Sequence, residues 1–322
     1  MHKHALSSVL VVVGSASVAL GGGDGFDWVT IRHTGNRLPN EIEAPFGANY
    51  GRVDYEYRIM RTPVTVGMWW EFVRAYAPYT DDTSQWFTSD WILRDFEGNL
   101  HPPAEIALQY PADVSFRYAA RFVNWLHNGK GSDLASFENG VYDTSTFTKN
   151  PDGTYNDQST PNPGSRYSIP TIDEWIKANH YDPNRYGPGQ EGYWLYPDGG
   201  DEPLIPGLPE DGAETDAGAP WTQGPSYVGS YPWSVSPLGL LDASGGLPEW
   251  TTSASLATGG RRVIPDSKQT SAFPEFDDRL DWYRYWSPDH GWTGFRLVTT
   301  VPTPSGVILI ATGCLMGARR RR

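Results

Sequence analysis

The fold of this chain is decided by GLLDASGGLPEW, at residues 239–250, and GFR, at residues 294–296. The first stretch places two consecutive glycines, Gly245 and Gly246, between Asp242 and Glu249. Consecutive glycines predict a tight turn, because glycine adopts backbone conformations that other residues avoid. The only cysteine, Cys314, lies outside both stretches, in an apolar tail.

Upstream, the sequence predicts a strand over 55–60, where large residues alternate. A helix from Val66 to Ala77 follows, with Thr65 as its N-cap. A second helix begins after Ser115 and keeps apolar residues at three- and four-residue steps until Asn128-Gly129 stops it.

A third helix is predicted after Thr171, which has capping-box spacing to Glu174. Between the second and third helices, residues 130–166 are predicted to form an exposed hairpin excursion, with turns at 139–140 and 151–153.

Taken in chain order, these segments resemble the landmarks of the formylglycine-generating, sulfatase-modifying-factor family. That family has a C-type-lectin-like fold. The resemblance implies an α+β, loop-rich domain over residues 24–300, with few short helices and small antiparallel sheets. Aromatic richness (14 Trp, 18 Tyr, 12 Phe), together with 35 Gly and 27 Pro, is what such a domain would show. The matching segments are 63–72, 114–126, 170–178, 193–198, 228–230, 239–250 and 294–296.

The resemblance also implies a structural calcium ion at the family's ligand positions. Those positions correspond here to Asp242, Gly245, Leu247 and Glu249. Calcium takes six to eight oxygen ligands, so two carboxylates, two backbone carbonyls and water suit it. An ordinary glycine-rich turn, with Glu249 solvated, is the alternative. Farther upstream, Asp211, Glu214 and Asp216 are predicted to lie in a solvated acidic loop rather than in a second calcium site.

The oxidases of this family use a pair of cysteines that bind copper and react. In this chain the corresponding stretch is 262–268, where only Ser267 resembles the family pattern, and no cysteine lies between it and Gly294. Thiolates bind Cu(I) and exchange electrons with a substrate thiol, which serine and aspartate do not do. We therefore expect no formylglycine generation by the cysteine and copper route, and no catalytic residue is assigned.

Both termini carry the marks of export. Residues 1–20 combine a weakly basic start, an apolar run and Ser17-Val18-Ala19, as a signal peptide does. Residues 301–322 place prolines before a short apolar segment and four arginines, which resembles a PEP-CTERM sorting signal. That resemblance implies export and sorting machinery as partners, a bacterial cell-envelope or extracellular location, and membrane contact only through this C-terminal segment.

Charge excludes other partners. The formal charge is −13, and it becomes about −18 once the five basic residues of the two terminal segments are set aside. Such a body repels nucleic-acid phosphates, so we expect no nucleic-acid partner.

Two hypotheses of function remain open. The first is a calcium-stabilised binding or structural module with a glycan or cell-surface ligand. The second is an oxidoreductase-type enzyme that uses non-thiol metal ligands in the cleft that the resemblance places between the Ser267 region and Gly294. A carbohydrate-facing surface is one option for Asp277, Asp278 and Asp281 beside Trp282–Trp286, with a plain solvated loop over core aromatics as its alternative.

Overall fold

The computed structural model describes residues 25–219, 226–265, 267–269 and 271–301. The predicted signal peptide, and the sorting segment apart from Val301, lie outside the described residues. Within the described part, no helix is long and apolar enough to cross a bilayer. The helices are α1 (Val66–Tyr76), α2 (Gln85–Thr88), α3 (Phe116–His127), α4 (Ala135–Glu138), α5 (Ile172–His180) and α6 (Pro274–Asp277). The strands are β1 (Trp28–Ile31), β2 (Tyr57–Met60), β3 (Tyr181–Asp182), β4 (Gly192–Tyr193), β5 (Ala254–Ser255), β6 (Arg261–Ile264), β7 (Arg284–Trp286) and β8 (Val298–Thr300).

Three small antiparallel sheets organise the described residues: β1-β2-β8, β3-β4 and β5-β6-β7. In the first sheet Ile59 pairs with both Val29 and Val298, so strands from the two ends of the domain flank β2 on either side. The predicted α+β architecture, loop-rich with few short helices and small antiparallel sheets, is confirmed.

The predicted helix starts are confirmed. The Thr65 and Ser115 hydroxyls accept hydrogen bonds from Met68 N and Tyr118 N at the starts of α1 and α3. At α5, Thr171 and Glu174 form both halves of the capping box. Each contact satisfies a backbone N–H that has no partner within its own helix.

Aromatic side chains of α1, α3 and the GFR stretch fill the largest core. Phe295 meets Trp69 of α1 at a ring-centroid distance of 5.9 Å and Phe122 of α3 at 5.6 Å, both edge to face. Trp250 is fully buried, and its indole N–H donates to Val114 O at 2.8 Å. The two stretches that decide the fold are therefore anchored to both long helices.

The 130–166 segment differs from the predicted exposed excursion. Its turn at 151–153 is confirmed by the bridge between Lys149 and Tyr155. However, Phe137 and Tyr142 are fully buried. The cause is Asn124 of α3, whose side chain donates to both of their carbonyls and draws the segment onto the helix.

Candidate functional site

The two deciding stretches meet through backbone and side-chain contacts. Gly294 N donates to Pro248 O at 2.8 Å, and Trp250 N donates to Gly294 O at 2.8 Å. Beside these backbone contacts, the Arg296 guanidinium pairs with the Glu249 carboxylate at 2.9 Å. Trp175 Nε1 donates to that carboxylate at 3.0 Å. Glu249 is only 2% exposed, so its charge is neutralised inside the core rather than by solvent.

This ion pair bears directly on the predicted calcium ligands. Arg296 also donates to the carbonyls of Leu241 and Asp242, at 2.7 and 2.8 Å, so the guanidinium occupies the space between the loop and Glu249. In this arrangement Glu249 does not fit as a calcium ligand, because its oxygens already accept from Arg296 and Trp175. The set of Asp242, Gly245, Leu247 and Glu249 stays a prediction.

Asp242 lies on the other side of the loop. Its carboxylate accepts from Gly229 N at 2.7 and 3.0 Å, and its backbone is left-handed, with φ of 56°. Burial raises the pKa of Asp242 to about 6, although Arg296 and Gly229 oppose that shift. It borders a small cavity of about 20 Å³, which is large enough for one water molecule or one ion.

Asp216 lines the same cavity, and the prediction of a solvated loop is wrong for this residue. Its side chain is almost fully buried because Gly246 N donates to Oδ1 at 2.6 Å and holds it beneath the loop. Burial raises the pKa of Asp216, an effect that donors at Gly246 and Ser226 partly offset. Spacing in the sequence gave no signal for this residue, since the contact joins segments thirty residues apart.

The predicted surface at Asp277, Asp278 and Asp281 is not formed, and neither is its solvated alternative, because all three carboxylates are buried. Asp277 accepts from Ser271 and pairs with Arg284, while Arg279 holds Asp281. Asp278 accepts from the hydroxyls of Ser244 and Ser267.

Gly246 and Leu247 also line a larger cleft, of about 430 Å³. Its volume falls within the range of about 300–1,000 Å³ that is usual for small-molecule sites. Four aromatic side chains form its walls: Trp91, Tyr110, Trp286 and Trp292. Lys268 lies in the same cleft, with its ammonium 5.7 Å from the centre of the Trp286 ring.

Two side-chain carboxyl groups, those of Asp90 and Asp113, also line the cleft, and the turn after α2 positions them. Ser89, with φ of 73°, reverses the chain so that its hydroxyl and Asp90 N both donate to Asp113 Oδ1. Asp113 is buried and Asp90 is exposed. Burial, reinforced by the neighbouring Asp90 charge, raises the pKa of Asp113 to about 7. The cleft thus holds a carboxyl group that can exchange a proton near neutral pH.

Trp292 stands at the mouth of the cleft. It is 50% exposed and has a left-handed backbone, with φ of 58°. Trp86 and His290 hold its ring edge to face, at 5.3 and 5.7 Å. A bulky residue rarely adopts this conformation, and such strain is concentrated at functional sites.

Ser267 lies in the stretch that corresponds to the reactive segment of the family's oxidases, and in this chain it has a structural role. Ser267 is buried, donates to Asp278 and accepts from Gly245 N, so it braces the 242–247 loop instead of facing the cleft. Its neighbours Lys268 and Gln269 line the cleft in its place. No group of three or more His, Cys, Asp or Glu side chains suited to a metal ion occurs among the described residues.

Comparison with known proteins defines the class of this fold and site. The family described as "Sulfatase-modifying factor enzyme 1-like domain" matches residues 32–301, and the chain belongs to that family. The crystal structure of CarF is similar with a TM-score of 0.52 and 20% identity, over 86% of this chain and 98% of CarF. This likeness confirms the fold.

Two further solved structures are similar at lower scores. Treponema denticola variable protein 1 has a TM-score of 0.48 and 15% identity, over 85% of this chain and 95% of its own. PvdO from Pseudomonas aeruginosa has a TM-score of 0.46 and 16% identity, over 86% of this chain and 91% of its own. The comparison with curated proteins gave no significant match.

Proposed function

We propose that this chain is an exported, envelope-sorted member of its family that binds a neutral glycan in the aromatic cleft and does not use thiol chemistry. The observation that carries the proposal is the cleft itself, which is lined by four aromatic rings and by the carboxyl groups of Asp90 and Asp113. Aromatic faces stack on sugar rings, and carboxylates accept hydrogen bonds from sugar hydroxyls.

Charge narrows the ligand class. Two carboxylates lie in the cleft, and the whole chain carries −13. Among the described residues that line the cleft, only Lys268 offers a positive charge to a ligand, and its ammonium already lies near the Trp286 ring. An anionic glycan would therefore meet repulsion, whereas a neutral one would not.

The test is a glycan array, followed by calorimetry with the neutral glycan that binds best. Trp292→Ala is expected to weaken binding by about tenfold or more, since exposed aromatic anchors dominate such sites. Trp282→Ala is the matched control, because Trp282 is 37% exposed and contacts Phe46 and Phe276 outside the cleft. Equal loss in both variants, or retention of anionic glycans alone, would contradict the proposal.

Export is supported by the two terminal segments, 1–20 and 301–322. Expression of the full chain in a bacterium that processes PEP-CTERM signals should deliver the domain to the envelope or the medium. Retention of the whole chain in the cytoplasm would count against this part of the proposal.

An enzyme acting in the same cleft is the second candidate, and Asp113 is the observation that favours it. A carboxyl group with a pKa of about 7 suits general acid–base catalysis at neutral pH. Cleavage of a bound glycan, or oxygen uptake with a stoichiometric redox metal, would favour this candidate if Asp113→Asn abolished it.

Calcium belongs to the proposal as a structural ion beside the 242–249 loop. The loop offers carboxylate, carbonyl and hydroxyl oxygens, which are the ligands that calcium prefers. Such an ion would hold the loop that separates the small cavity from the cleft, since Gly246 and Leu247 line both.

A further inference from the structure

We infer that a second cavity, beside strand β8, binds a uronic acid residue, and that Arg166 takes the carboxylate of this ligand. The cavity has a volume of about 310 Å³, which lies within the range usual for small-molecule sites. It is bordered by β8, the 161–168 segment, Tyr55 and Glu174. The residues that line it are different from those of the aromatic cleft, so the inference goes beyond the proposed function and does not depend on it.

The cavity lies next to a pair of chain segments that are joined by backbone hydrogen bonds. Ser168 and Val298 exchange both of these bonds, at 2.9 and 2.8 Å. Two residues before Ser168, side chains hold the backbone instead: Arg166 N donates to His127 Nδ1 at 3.0 Å, and Arg166 O accepts from the Thr299 hydroxyl at 2.7 Å. The backbone of Arg166 is therefore fixed at the edge of the cavity.

The Arg166 guanidinium is not neutralised by an acidic side chain. No ion pair joins it to a carboxylate within the part of the chain that the structure describes. It lies instead over the ring of Tyr167, 4.9 Å from the ring centre, and that ring stacks on Trp28 at 6.1 Å. A guanidinium held in this way presents a fork of N–H donors that matches the two oxygens of a carboxylate.

Glu174 supplies a second charged group to the same cavity. It is 5% exposed, and its Oε1 accepts from the Tyr55 hydroxyl at 3.0 Å, while its Oε2 accepts from Thr171 N at 2.7 Å. Arg166 and Glu174 line one cavity without forming an ion pair with each other. A ligand that reaches both therefore needs an anionic group at one end and hydrogen-bond donors at the other.

A uronic acid residue combines a carboxylate with ring hydroxyls. Its carboxylate suits Arg166, and a hydroxyl can donate to Glu174 Oε1, which keeps a second lone pair. Tyr55 supports this choice, because its hydroxyl is tied to Glu174 while its side chain is 49% exposed. The aromatic ring is thus held in place, with part of its surface open to stack on a sugar.

The experiment measures, by calorimetry with the purified chain, the binding of an oligogalacturonate and of the same oligosaccharide with its carboxyl groups reduced to alcohols. The acidic form should bind, and the reduced form should bind more weakly by about tenfold or more, because the hydrogen bonds to the charged group are lost. Equal binding of the two forms would overturn the inference.

Arg166→Gln should weaken binding of the acidic form by about the same factor, whereas Arg166→Lys should weaken it less, because lysine keeps the charge but not the fork of donors. Arg32→Gln is the matched control and should bind as the wild type does. Arg32 is also exposed and also has no acidic partner among the described residues, but it lies outside the cavity.

Trp292→Ala separates this cavity from the aromatic cleft. Uronate binding should persist in this variant whatever the result for neutral glycans, so the two proposals can fail independently. If Trp292→Ala abolishes uronate binding while Arg166→Gln keeps it, the ligand binds in the cleft and the inference is wrong. Absence of binding to the wild type, or tighter binding of a free amino acid or a sulfated oligosaccharide, would also overturn it.

Discussion

Asp242 and Glu249 leave the same loop seven residues apart, yet their carboxylates have opposite surroundings. Glu249 is paired with Arg296 and receives the Trp175 indole N–H. Asp242 instead borders a small cavity together with Asp216. The Glu249 side of the loop holds a buried ion pair, whereas no ion pair joins Asp242 or Asp216 to a basic side chain among the described residues. The comparison teaches that an acidic residue in a family motif can serve as an internal counter-ion.

The largest loss of stability is expected from breaking the ion pair between Glu249 and Arg296. Glu249→Ala leaves the Arg296 guanidinium buried without its partner, which should lower the free energy of unfolding by about 3–5 kcal/mol. Urea unfolding should show the same loss with and without calcium.

The control for that prediction is Glu71→Ala, which removes an exposed pair with Lys130. Both of those side chains are about half exposed, so the loss should be below about 1 kcal/mol. A calcium-dependent loss in Glu249→Ala would show that Glu249 takes part in cation binding after all.

The Asp242 side of the loop is tested by two adjacent glycines. Gly245→Ala should cost about 2–4 kcal/mol, because the φ of 79° is left-handed and a Cβ would lie 2.1 Å from Asp216 Oδ1. Gly246→Ala should cost only about 1–2 kcal/mol, because a Cβ there meets nothing within 4 Å and only the φ of 60° opposes it. Chemical denaturation of both variants in chelator measures the difference. Equal costs would mean that the loop does not close on Asp216.

The sequence predicted the parts of this molecule that depend on local chemistry. Thr65, Ser115 and Thr171 cap helices because their hydroxyls reach backbone N–H groups three residues away. Asp216 was assigned to a solvated loop because its burial depends on Gly246, thirty residues along the chain. The walls of the cleft were not predicted for the same reason, since Trp91, Asp113 and Trp292 come from three separate segments.

The smallest effect concerns Asp113, a third carboxyl group near this loop that also lacks a basic partner among the described residues. Its pKa is about 7 in the folded chain and 3.8 as the ordinary value, so the folded state binds the extra proton between these pH values. Its contribution to stability is therefore fully present below pH 3.8 and is lost as the pH rises to about 7.

Asp113→Asn removes that charge, and its side-chain oxygen can still accept from Ser89 and Asp90 N. The variant should match wild type near pH 4 and exceed it at pH 8 by about 1 kcal/mol or more. Unfolding in urea across this pH range measures the difference, and Glu97→Gln, which changes an exposed carboxylate outside the cleft, is the control. A wild type that is the more stable protein at pH 8 would mean that Asp113 has a positive partner. Asp113 would then belong with Glu249, as a carboxylate already satisfied within the fold.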